Sequence, residues 1–408
     1  MKKRVWIVNY YTSPEASNPR YLEFAKRFMA EGWNVTTFYA DYNSTDIGKQ
    51  FEHQQVDGLD FVRVKVPHFK GNGLKRMYSI WSFANKLYRN KKKFERPDVI
   101  LHNIHPPFDY PIVKLAKKLK SKYIAEAWDL WPDAFVYMGL ISASNPITKW
   151  AYSIERKYYY SADEIVFTFL GAYDYLKRQG WMKEQGGKIE PAHVHHISNG
   201  INLAQFDDNA KKYRRADADI NNPNFIKIIY LGSINFANNV KTLIDAAALL
   251  KSNPKYRFFI YGDGAYREGL ETYVKENHID NVMFKEKYIP LEECAWVVSQ
   301  ARVGVMNYEK GFGRMGVSSG KMFQYLAAGK PIVCNVRIDY DDILTNNNIG
   351  IARDMDSAED IANAIRQLAE QSEEDYNAMC KRVRRVAKEF DYKIITAKEL
   401  EVIESLTV

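Results

Sequence analysis

The sequence of 408 residues contains little cysteine and no long hydrophobic run. Its three cysteines, Cys294, Cys334 and Cys380, are widely spaced and odd in number, which argues against a disulfide framework and against a zinc site. No apolar run approaches the ~18–20 residues that cross a bilayer, and the run at 5–8 is too short for a signal peptide. We therefore expect a cytoplasmic protein whose three cysteines are structural.

The length and composition predict two globular domains. A chain of 408 residues is too long for one compact core, and 46% hydrophobic with 26% charged residues is typical of a globular protein. The polar stretch 207–224, which reads DDNAKKYRRADADINNPN, indicates an interdomain linker. The sequence thus predicts an N-terminal domain over 1–206 and a C-terminal domain that begins at 225.

Strand and helix patterns alternate on both sides of this linker. The pattern predicts a strand at 4–11, a helix at 20–30 and a strand at 33–39, which form a βαβ unit. It restarts with a strand at 227–231, a helix at 240–250 and a strand at 256–261. We therefore predict an α/β protein with two doubly wound Rossmann-like domains that face a cleft. The segment 373–406 is long and charged, and its pattern is helical.

Positive charge is concentrated near the N-terminus. Residues 1–122 carry a net charge of +12 within a total of +8, and the segment 69–96 interleaves lysines and arginines with aromatic residues. This combination suits an anionic membrane surface. The alternative is an ordinary helix whose aromatics face the core and whose lysines face water. A nucleic-acid partner is not expected, because no helix-turn-helix, RNP or zinc signature accompanies the charge.

The segment 320–333, GKMFQYLAAGKPIV, carries the clearest functional signal. An amphipathic helix pattern ends at Gly329, and an apolar run that begins at Pro331 predicts a strand. At the helix start, Lys321 lies beside Ser319 and Gly320. Since a helix start offers unpaired N–H groups and partial positive charge, these residues predict a small anion cradle that fits phosphate.

This segment resembles the donor-binding signature of family 4 glycosyltransferases, in which a Glu-bearing helix ending in Ala-x-Gly-x-Pro holds the nucleotide sugar. It is most similar to a subgroup of bacterial O-antigen and capsule enzymes that includes N-acetyl-fucosamine transferases. Six further motifs follow the family's order. They are SPEASNPR with EGWNVT, PDVI, EAWDLWPD, SNGIN with Phe206, YLG, and YGDG. The resemblance implies a GT-B fold, in which the donor domain spans 225–385 and a C-terminal helix, 386–408, returns to the first domain.

Several positions depart from the family's donor motif. Gln324 replaces the Glu that accepts hydrogen bonds from ribose, so one carbonyl acceptor remains but the charge is lost. The second family Glu, eight residues earlier, falls on Gly316. Glu309 serves in its place if the loop is longer, and the alternative is a solvent-exposed loop glutamate. Ser233 and Asn238 stand where many relatives carry Arg and Lys.

The resemblance assigns the donor side of the reaction to the C-terminal domain. Lys321 and then Arg314, in the GFGRMGVSSG loop, are expected to neutralise the diphosphate leaving group. Gly232 lets the backbone approach the phosphates. The complete set of expected donor-binding residues is Gly232, Ser233, Gly262, Ser319, Gly320, Gln324 and Glu309.

The N-terminal domain is expected to bind the acceptor. Asp129 follows a buried-looking strand and is predicted to take or orient the acceptor proton; its alternative role is to cap the next turn. Glu126 is a second candidate carboxylate, and His105 lies on a neighbouring loop. Glu15 and Arg20, in the first loop, are predicted to contact donor phosphate or acceptor, unless Arg20 packs against the sheet end.

Added to these features, the resemblance implies a retaining, metal-independent glycosyltransferase without a cofactor. Its co-substrate would be a nucleotide diphosphate sugar, with a UDP sugar favoured, and its acceptor a glycan or polyprenyl-diphosphate-linked intermediate at the cytoplasmic membrane face. Two Asp-x-Asp sequences, at 217–219 and 339–341, have no other ligand nearby in sequence, so no metal is predicted. Two rivals remain open: a nucleotide-sugar epimerase or hydrolase on the same fold, and a non-catalytic binding subunit.

Overall fold

A computed structural model describes residues 2–16, 18–42, 48–69, 71 and 73–407, without the side chains of residues 313 and 314. The chain forms two compact units. Unit 1 comprises Met1–Ser198 together with Lys393–Val408, and unit 2 comprises Asn199–Tyr392.

Unit 1 is an α/β domain built on an eight-stranded sheet. Its strands are β1 (Arg4–Val8), β2 (Asn34–Asp41), β3 (Phe51–Val56), β4 (Leu59–Lys65), β5 (Val99–Asn103), β6 (Lys122–Ala127), β7 (Glu164–Phe167) and β8 (Val194–His196). Its first helices are α1 (Arg20–Ala30), α2 (Leu74–Asn90), α3 (Tyr110–Leu119), α4 (Asp133–Tyr137), α5 (Pro146–Tyr159) and α6 (Ala172–Arg178).

The strand order of unit 1 is β3-β4-β2-β1-β5-β6-β7-β8, and every neighbouring pair is parallel except β3 with β4. Strands β1 and β5 at the centre are almost entirely buried. Because parallel sheets have both faces covered by helices, such strands read as continuous apolar runs. The hairpin strand β3 has a polar sequence, FEHQQV, and was therefore not predicted from the hydrophobic pattern.

Unit 2 is a second α/β domain with a six-stranded sheet, in which all pairs are parallel. Its strands, β9 (Ile226–Leu231), β10 (Tyr256–Tyr261), β11 (Val282–Phe284), β12 (Val303–Met306), β13 (Ile332–Cys334) and β14 (Gly350–Ala352), have the order β11-β10-β9-β12-β13-β14. Its helices are α7 (Leu203–Lys212), α8 (Ala218–Asn221), α9 (Val240–Leu250), α10 (Arg267–Glu276), α11 (Leu291–Ser299), α12 (Gly320–Ala327), α13 (Ile343–Asn346), α14 (Ala358–Ala369) and α15 (Glu373–Ala387).

The division between the units differs from the predicted linker. The chain leaves unit 1 after Ser198, whereas the prediction extended the first domain to 206. The polar stretch 207–224 contains the end of α7 and all of α8, and both helices belong to unit 2. Few apolar residues suffice in this stretch, because α7 is buried through Leu203 and Phe206, which precede the stretch, and α8 through Ile220.

The predicted long C-terminal helix is interrupted. Helix α15 ends at Ala387, a short 3₁₀ turn covers Lys388–Phe390, and α16 (Tyr392–Ser405) completes the chain. The backbone of Ile201 hydrogen-bonds to Phe390 and Tyr392 on either side of the break. These bonds fix the extended Asp391, whereas residues from Lys393 onward pack with unit 1.

No helix in the described part of the chain is both long enough and apolar enough to cross a membrane.

Candidate functional site

Three loops meet at the carboxyl edge of the unit 2 sheet. The loop after β9 is joined to the loop after β10 by the amide of Ile234, which donates to the carbonyl of Asp263 at 2.8 Å. It is joined to the loop after β12 by the amide of Glu309, which donates to the carbonyl of Ala237 at 2.9 Å. In open parallel sheets this edge is where ligands bind.

Gly232 and Gly262 allow these loops to approach one another closely. Both have positive φ angles, +152° and +130°. A Cβ atom on Gly262 would lie only 1.8 Å from the carbonyl oxygen of Gly232, so no side chain fits there. A Cβ atom on Gly232 would lie 3.1 Å from Cε of Lys321, so the absence of a side chain lets the lysine lie close to the backbone. The close approach of this backbone to phosphate stays a prediction.

Lys321 lies in the first turn of α12 and points toward Gly232. We call Lys321 and its neighbours Tyr230, Tyr308, Asn238 and Gly232 the Lys321 cluster. The Nζ atom donates to Oδ1 of Asn238 at 2.9 Å and to the hydroxyl of Tyr230 at 3.3 Å. It also lies 4.5 Å and 5.0 Å from the ring centres of Tyr230 and Tyr308. No carboxylate among the described residues pairs with it.

The environment of Lys321 weakens its affinity for a proton. Burial lowers the pKa of Lys321 to about 7, and the only opposing contribution is a small one from Cys334. A cation that is enclosed by aromatic rings and lacks a carboxylate gains stability when an anion binds beside it. The electrostatic character of the cluster therefore suits an anionic group such as phosphate.

Gln324 lies one turn further along α12. Its Oε1 atom is buried and has no hydrogen-bond partner among the described residues. Because a buried acceptor without a partner costs about 1–3 kcal/mol, this oxygen favours a ligand that donates a hydrogen bond. Ser319, the N-cap of α12, makes no side-chain capping bond, and Gly320 faces open space. The start of α12 thus leaves room beside Lys321.

The other predicted donor residues have no described side-chain contact with Lys321. Glu309 is half-buried in the loop after β12, and its backbone bond to Ala237 brings it to the same edge as Asn238. Ser233 is exposed, and its carbonyl accepts a hydrogen bond from Tyr230 at 2.7 Å. Arg314 lies in the 3₁₀ turn Phe312–Met315, but its side chain falls outside the described part, so its contact with phosphate stays a prediction.

A second group of polar residues lies at the carboxyl edge of the unit 1 sheet. We call Asp129, His105, Arg76, Tyr11 and Asp109 the Asp129 cluster. Arg76 Nε donates to the hydroxyl of Tyr11 at 2.9 Å, and the rings of Tyr11 and His105 are 5.5 Å apart. Asp129 follows β6, and both His105 and Arg76 act on it electrostatically. The predicted pair Asp129 and His105 is thus brought together.

Asp109 fixes the orientation of His105. It accepts a hydrogen bond from the His105 backbone at 2.6 Å, and its Oδ2 lies 3.2 Å from Nδ1 of the same histidine. Burial alone raises the pKa of Asp109, but contacts with His102 and His105 outweigh it and hold the pKa well below the usual range. Since an ionised carboxylate accepts at Nδ1, the Nε2 atom of a neutral His105 keeps its lone pair.

Asp129 remains open to solvent, although protein atoms surround it. This environment raises the pKa of Asp129, while the neighbouring His105 and Arg76 lower it by less. A carboxylate with a raised pKa is a better proton acceptor than an ordinary aspartate. The cluster can therefore accept a proton from a hydroxyl group bound beside it.

Arg20 and Glu126 do not reach this surface. Both side chains are fully buried, with Arg20 Nε 2.7 Å from Oε1 of Glu126, and Tyr21 donates a short hydrogen bond to Oε2. Arg20 also donates to the carbonyls of Ile197 and Ser198 at the end of β8. This placement corrects the predicted acceptor-side roles, because buried, paired side chains cannot contact an acceptor. Glu15 is exposed in the loop after β1.

Glu399, from α16, adds a second carboxyl group to this buried pair. Its Oε2 atom lies 4.0 Å from Arg20 Nη2, and neither oxygen has a hydrogen-bond partner among the described residues. Burial raises the pKa of Glu399 to about 8; Glu126 adds to this rise and Arg20 opposes it. One guanidinium therefore balances one carboxylate, and Glu399 keeps its proton at neutral pH.

This arrangement predicts a pH-dependent stability. Between about pH 5 and pH 8 the unfolded chain releases the Glu399 proton, whereas the folded unit retains it, so the free energy of unfolding falls as pH rises. Glu399→Gln removes this titration and should reduce the fall by about 1–3 kcal/mol in urea unfolding at pH 5.5 and 8. Equal falls in wild type and variant would contradict the assignment. Glu126→Gln, which removes the ion pair, should destabilise at both pH values.

Three of the four aspartates in the two Asp-x-Asp sequences form ion pairs. Asp217 and Asp219 lie 2.9 Å and 3.3 Å from Nζ of Lys285, and Asp339 lies 2.5 Å from Nε of Arg337. Among the residues that the structure describes, no group of three or more His, Cys, Asp or Glu side chains has a metal-binding arrangement. The absence of a metal from the reaction stays a prediction.

Several residues of both clusters were not identified from the sequence. Tyr230 and Tyr308 come from β9 and from the end of β12, and only the fold brings them to Lys321. Their positions beside a glycine turn and after an apolar strand are the only signals in the sequence. Arg76 was recognised as one of many cations, but nothing in its sequence context distinguishes it from its neighbours.

Two family models match the chain, one mainly in unit 1 and the other within unit 2. The model described as Glycosyltransferase Family 4 matches residues 20–205, and the model described as Glycosyl transferases group 1 matches residues 213–386. No curated protein matches the chain.

Solved structures with low sequence identity share the architecture over the whole chain. Sucrose-phosphate synthase from Thermosynechococcus elongatus has a TM-score of 0.75 at 17% identity and covers 99% of both chains. Anabaena HepE in complex with UDP and glucose has a TM-score of 0.68 at 12% identity, with 99% of this chain and 100% of that one covered. WaaG, a glycosyltransferase of lipopolysaccharide biosynthesis, has a TM-score of 0.67 at 15% identity, with 98% and 99% covered. The predicted two-domain GT-B fold is confirmed.

Proposed function

We propose that this chain, which joins a family 4 glycosyltransferase domain to a group 1 glycosyltransferase domain, is a retaining glycosyltransferase that needs no metal. It moves a sugar from a nucleotide diphosphate sugar, with a UDP sugar favoured, to a glycan or polyprenyl-diphosphate-linked acceptor. The product would enter cell-surface polysaccharide synthesis at the cytoplasmic face of the membrane. The O-antigen and N-acetyl-fucosamine subgroup is the narrower form of the same proposal.

The observation that carries the proposal is the Lys321 cluster. An enclosed lysine that pairs with no carboxylate of the described residues lies beside Gly232, whose lack of a side chain permits this close approach. A diphosphate would supply the missing negative charge, and the free Oε1 of Gln324 would accept from a ribose hydroxyl. UDP is favoured because the solved structure of HepE, which shares the fold, contains UDP and glucose.

The proposed reaction exchanges one bond at the anomeric carbon of the donor sugar. The bond to the diphosphate oxygen breaks, and a bond to the acceptor hydroxyl oxygen forms. The leaving diphosphate gains negative charge, which Lys321 stabilises. The acceptor proton passes to Asp129, to Nε2 of His105 or to the leaving phosphate. Retention of configuration comes from the family resemblance, and NMR of the product linkage tests it.

A panel of nucleotides tests the donor class. UDP, GDP, ADP, CMP and dTDP are each added to the purified protein, and the unfolding temperature is measured. A ligand at about 100 times its dissociation constant stabilises by about 2.7 kcal/mol, so UDP should raise the unfolding temperature by a few degrees. CMP, which carries one phosphate, should raise it less. A shift with none of the five nucleotides would contradict the proposal.

The altered donor motif favours one rival, a non-catalytic binding subunit. Ser233, Asn238, Gln324 and Gly316 all stand where the resemblance expects charged residues. Gln324→Glu discriminates between the two functions. A loss of UDP affinity in this variant means that glutamine is fitted to its ligand, as the proposal requires, whereas a large gain means that the native site has degenerated. An epimerase or hydrolase is separated by its products, because it consumes donor without an acceptor.

A further inference from the structure

Large exposed hydrophobic side chains are concentrated in two segments of unit 1. Of the sixteen such side chains on the described residues, eight belong to these segments. In the first half of α2 they are Leu74, Tyr78 and Trp81, and around α4 and α5 they are Phe135, Leu140, Ile141, Ile147 and Trp150. We call these eight residues the apolar rim. Large apolar groups so concentrated on a protein surface usually mark an interaction site.

The topology of unit 1 places both segments on one face and at one edge of its sheet. The crossovers from β4 to β5 and from β6 to β7 run in the same direction across the sheet, so right-handed connections put α2 and α5 on the same face. Each helix starts at the carboxyl ends of the parallel strands. Because the rim residues lie in the first halves of α2 and α5 or in the segment between β6 and α5, which includes α4, all of them lie near this edge.

Charge identifies the partner that fits the apolar rim. Residues 61–94 contain ten lysines and arginines and no acidic residue, and residues 134–154 contain Lys149 as their only charged side chain. An apolar, aromatic rim with flanking cations is complementary to the headgroup region of an anionic bilayer. A protein partner with an apolar patch would not require such a long stretch without acidic residues.

We propose that the apolar rim docks unit 1 on an anionic lipid surface, with Leu74, Trp81, Ile147 and Trp150 inserted at headgroup depth. This extends the membrane contact expected for 69–96 to a second segment, 135–150. The Asp129 cluster lies at the same edge of the sheet, since Asp129 is in the loop between β6 and α4 and Arg76 is in the first turn of α2. The role of this docking rests on the proposed function: it presents a lipid-linked acceptor to Asp129.

Vesicle sedimentation of the full chain tests the proposal. The vesicles contain phosphatidylglycerol and phosphatidylcholine in equal amounts, or phosphatidylcholine alone. We expect sedimentation with the anionic vesicles that weakens in high salt, because salt screens the cationic contribution. The triple variant Leu74→Ser/Ile147→Ser/Trp150→Ser removes three exposed side chains, which are 81%, 74% and 53% exposed. It should lower the apparent affinity for anionic vesicles by at least about tenfold.

The control variant is Leu249→Ser/Tyr288→Ser, which removes side chains of unit 2 that are 53% and 66% exposed. It should sediment like the wild type. The proposal is overturned when the wild-type chain does not bind anionic vesicles or when the triple variant binds as well as the control. It is also overturned when the wild-type chain self-associates but binds no vesicles, and the triple variant abolishes this self-association. The apolar rim would then contact a second copy of the chain. The UDP-induced thermal shift should persist in the triple variant, because the rim does not bind the nucleotide. If the shift is absent from the wild type and from every variant, that result counts against the donor proposal and not against docking.

Discussion

Asp129→Asn is expected to lower the rate of sugar transfer by about 10²–10⁴-fold, the range typical of a lost general base. Asparagine keeps the size of the side chain and its hydrogen-bonding capacity, but it cannot take up the acceptor proton. Asp129 is suited to this task because its surroundings raise its pKa and because His105 and Arg76 lie near it. The measurement is the initial rate of product formation with saturating donor.

The nucleotide affinity of the same variant separates chemistry from folding. The Lys321 cluster belongs to unit 2 and Asp129 to unit 1, so UDP binding should remain within about twofold of the wild type. Asp280→Asn, at an exposed position of unit 2, is the matched control and should transfer sugar normally. A variant at Asp129 that retains wild-type activity would show that the carboxylate is only a cap for the following turn. The wild-type rate should also fall on acidification at a pH above the usual range for aspartate, because the pKa is raised.

Lys321→Ala is expected to weaken UDP binding by about 10–100-fold, since a charge-assisted hydrogen bond contributes about 1.5–3 kcal/mol. The exposed Lys310→Ala, on the neighbouring loop, is the matched control and should bind UDP like the wild type. Titration calorimetry at one pH provides both values. An unchanged affinity in Lys321→Ala would remove Lys321 from the donor site.

The pKa of Lys321 also predicts how UDP affinity depends on pH. In the protein without ligand, Lys321 has a pKa of about 7, and the diphosphate binds its charged form. Each pH unit above 7 should therefore weaken UDP binding by up to about tenfold. Lys321→Arg carries a permanent charge, so its affinity should change little between pH 7 and 9. Parallel pH profiles for the two proteins would contradict this assignment. Titration calorimetry in two buffers of different ionisation enthalpy measures proton uptake on UDP binding, which gives an independent value for the pKa of Lys321.

Local patterns predicted much of the fold. The helices Arg20–Ala30 and Val240–Leu250 and the strand Tyr256–Tyr261 have their predicted bounds, because their apolar residues repeat clearly and glycine or polar residues flank them. The break after α15 was not predictable. Its sequence is compatible with a continuous helix, and the hydrogen bonds that interrupt it come from Ile201, which is distant in sequence.

The candidate site shows a similar division. Lys321, Gly232 and Gln324 were predicted from one motif and one glycine turn, and the structure brings Lys321 and Gly232 together. Packing of Arg20 against the sheet end was one of its two interpretations, but its pairing with Glu126 could not be predicted, since the two residues are 106 positions apart. A family resemblance transfers residue types to positions, whereas the partner of each charge depends on the whole fold.

Transfer of a sugar from a nucleotide sugar to an acceptor is tested most directly by identifying the products that the protein forms from the two substrates. Purified protein is incubated with a panel of UDP sugars and polyprenyl-diphosphate-linked glycans, and both substrates are followed by mass spectrometry. We expect release of UDP together with an acceptor that is heavier by one sugar, and loss of both in Asp129→Asn. Donor consumption that yields free or epimerised sugar with an unchanged acceptor would contradict the proposed transfer.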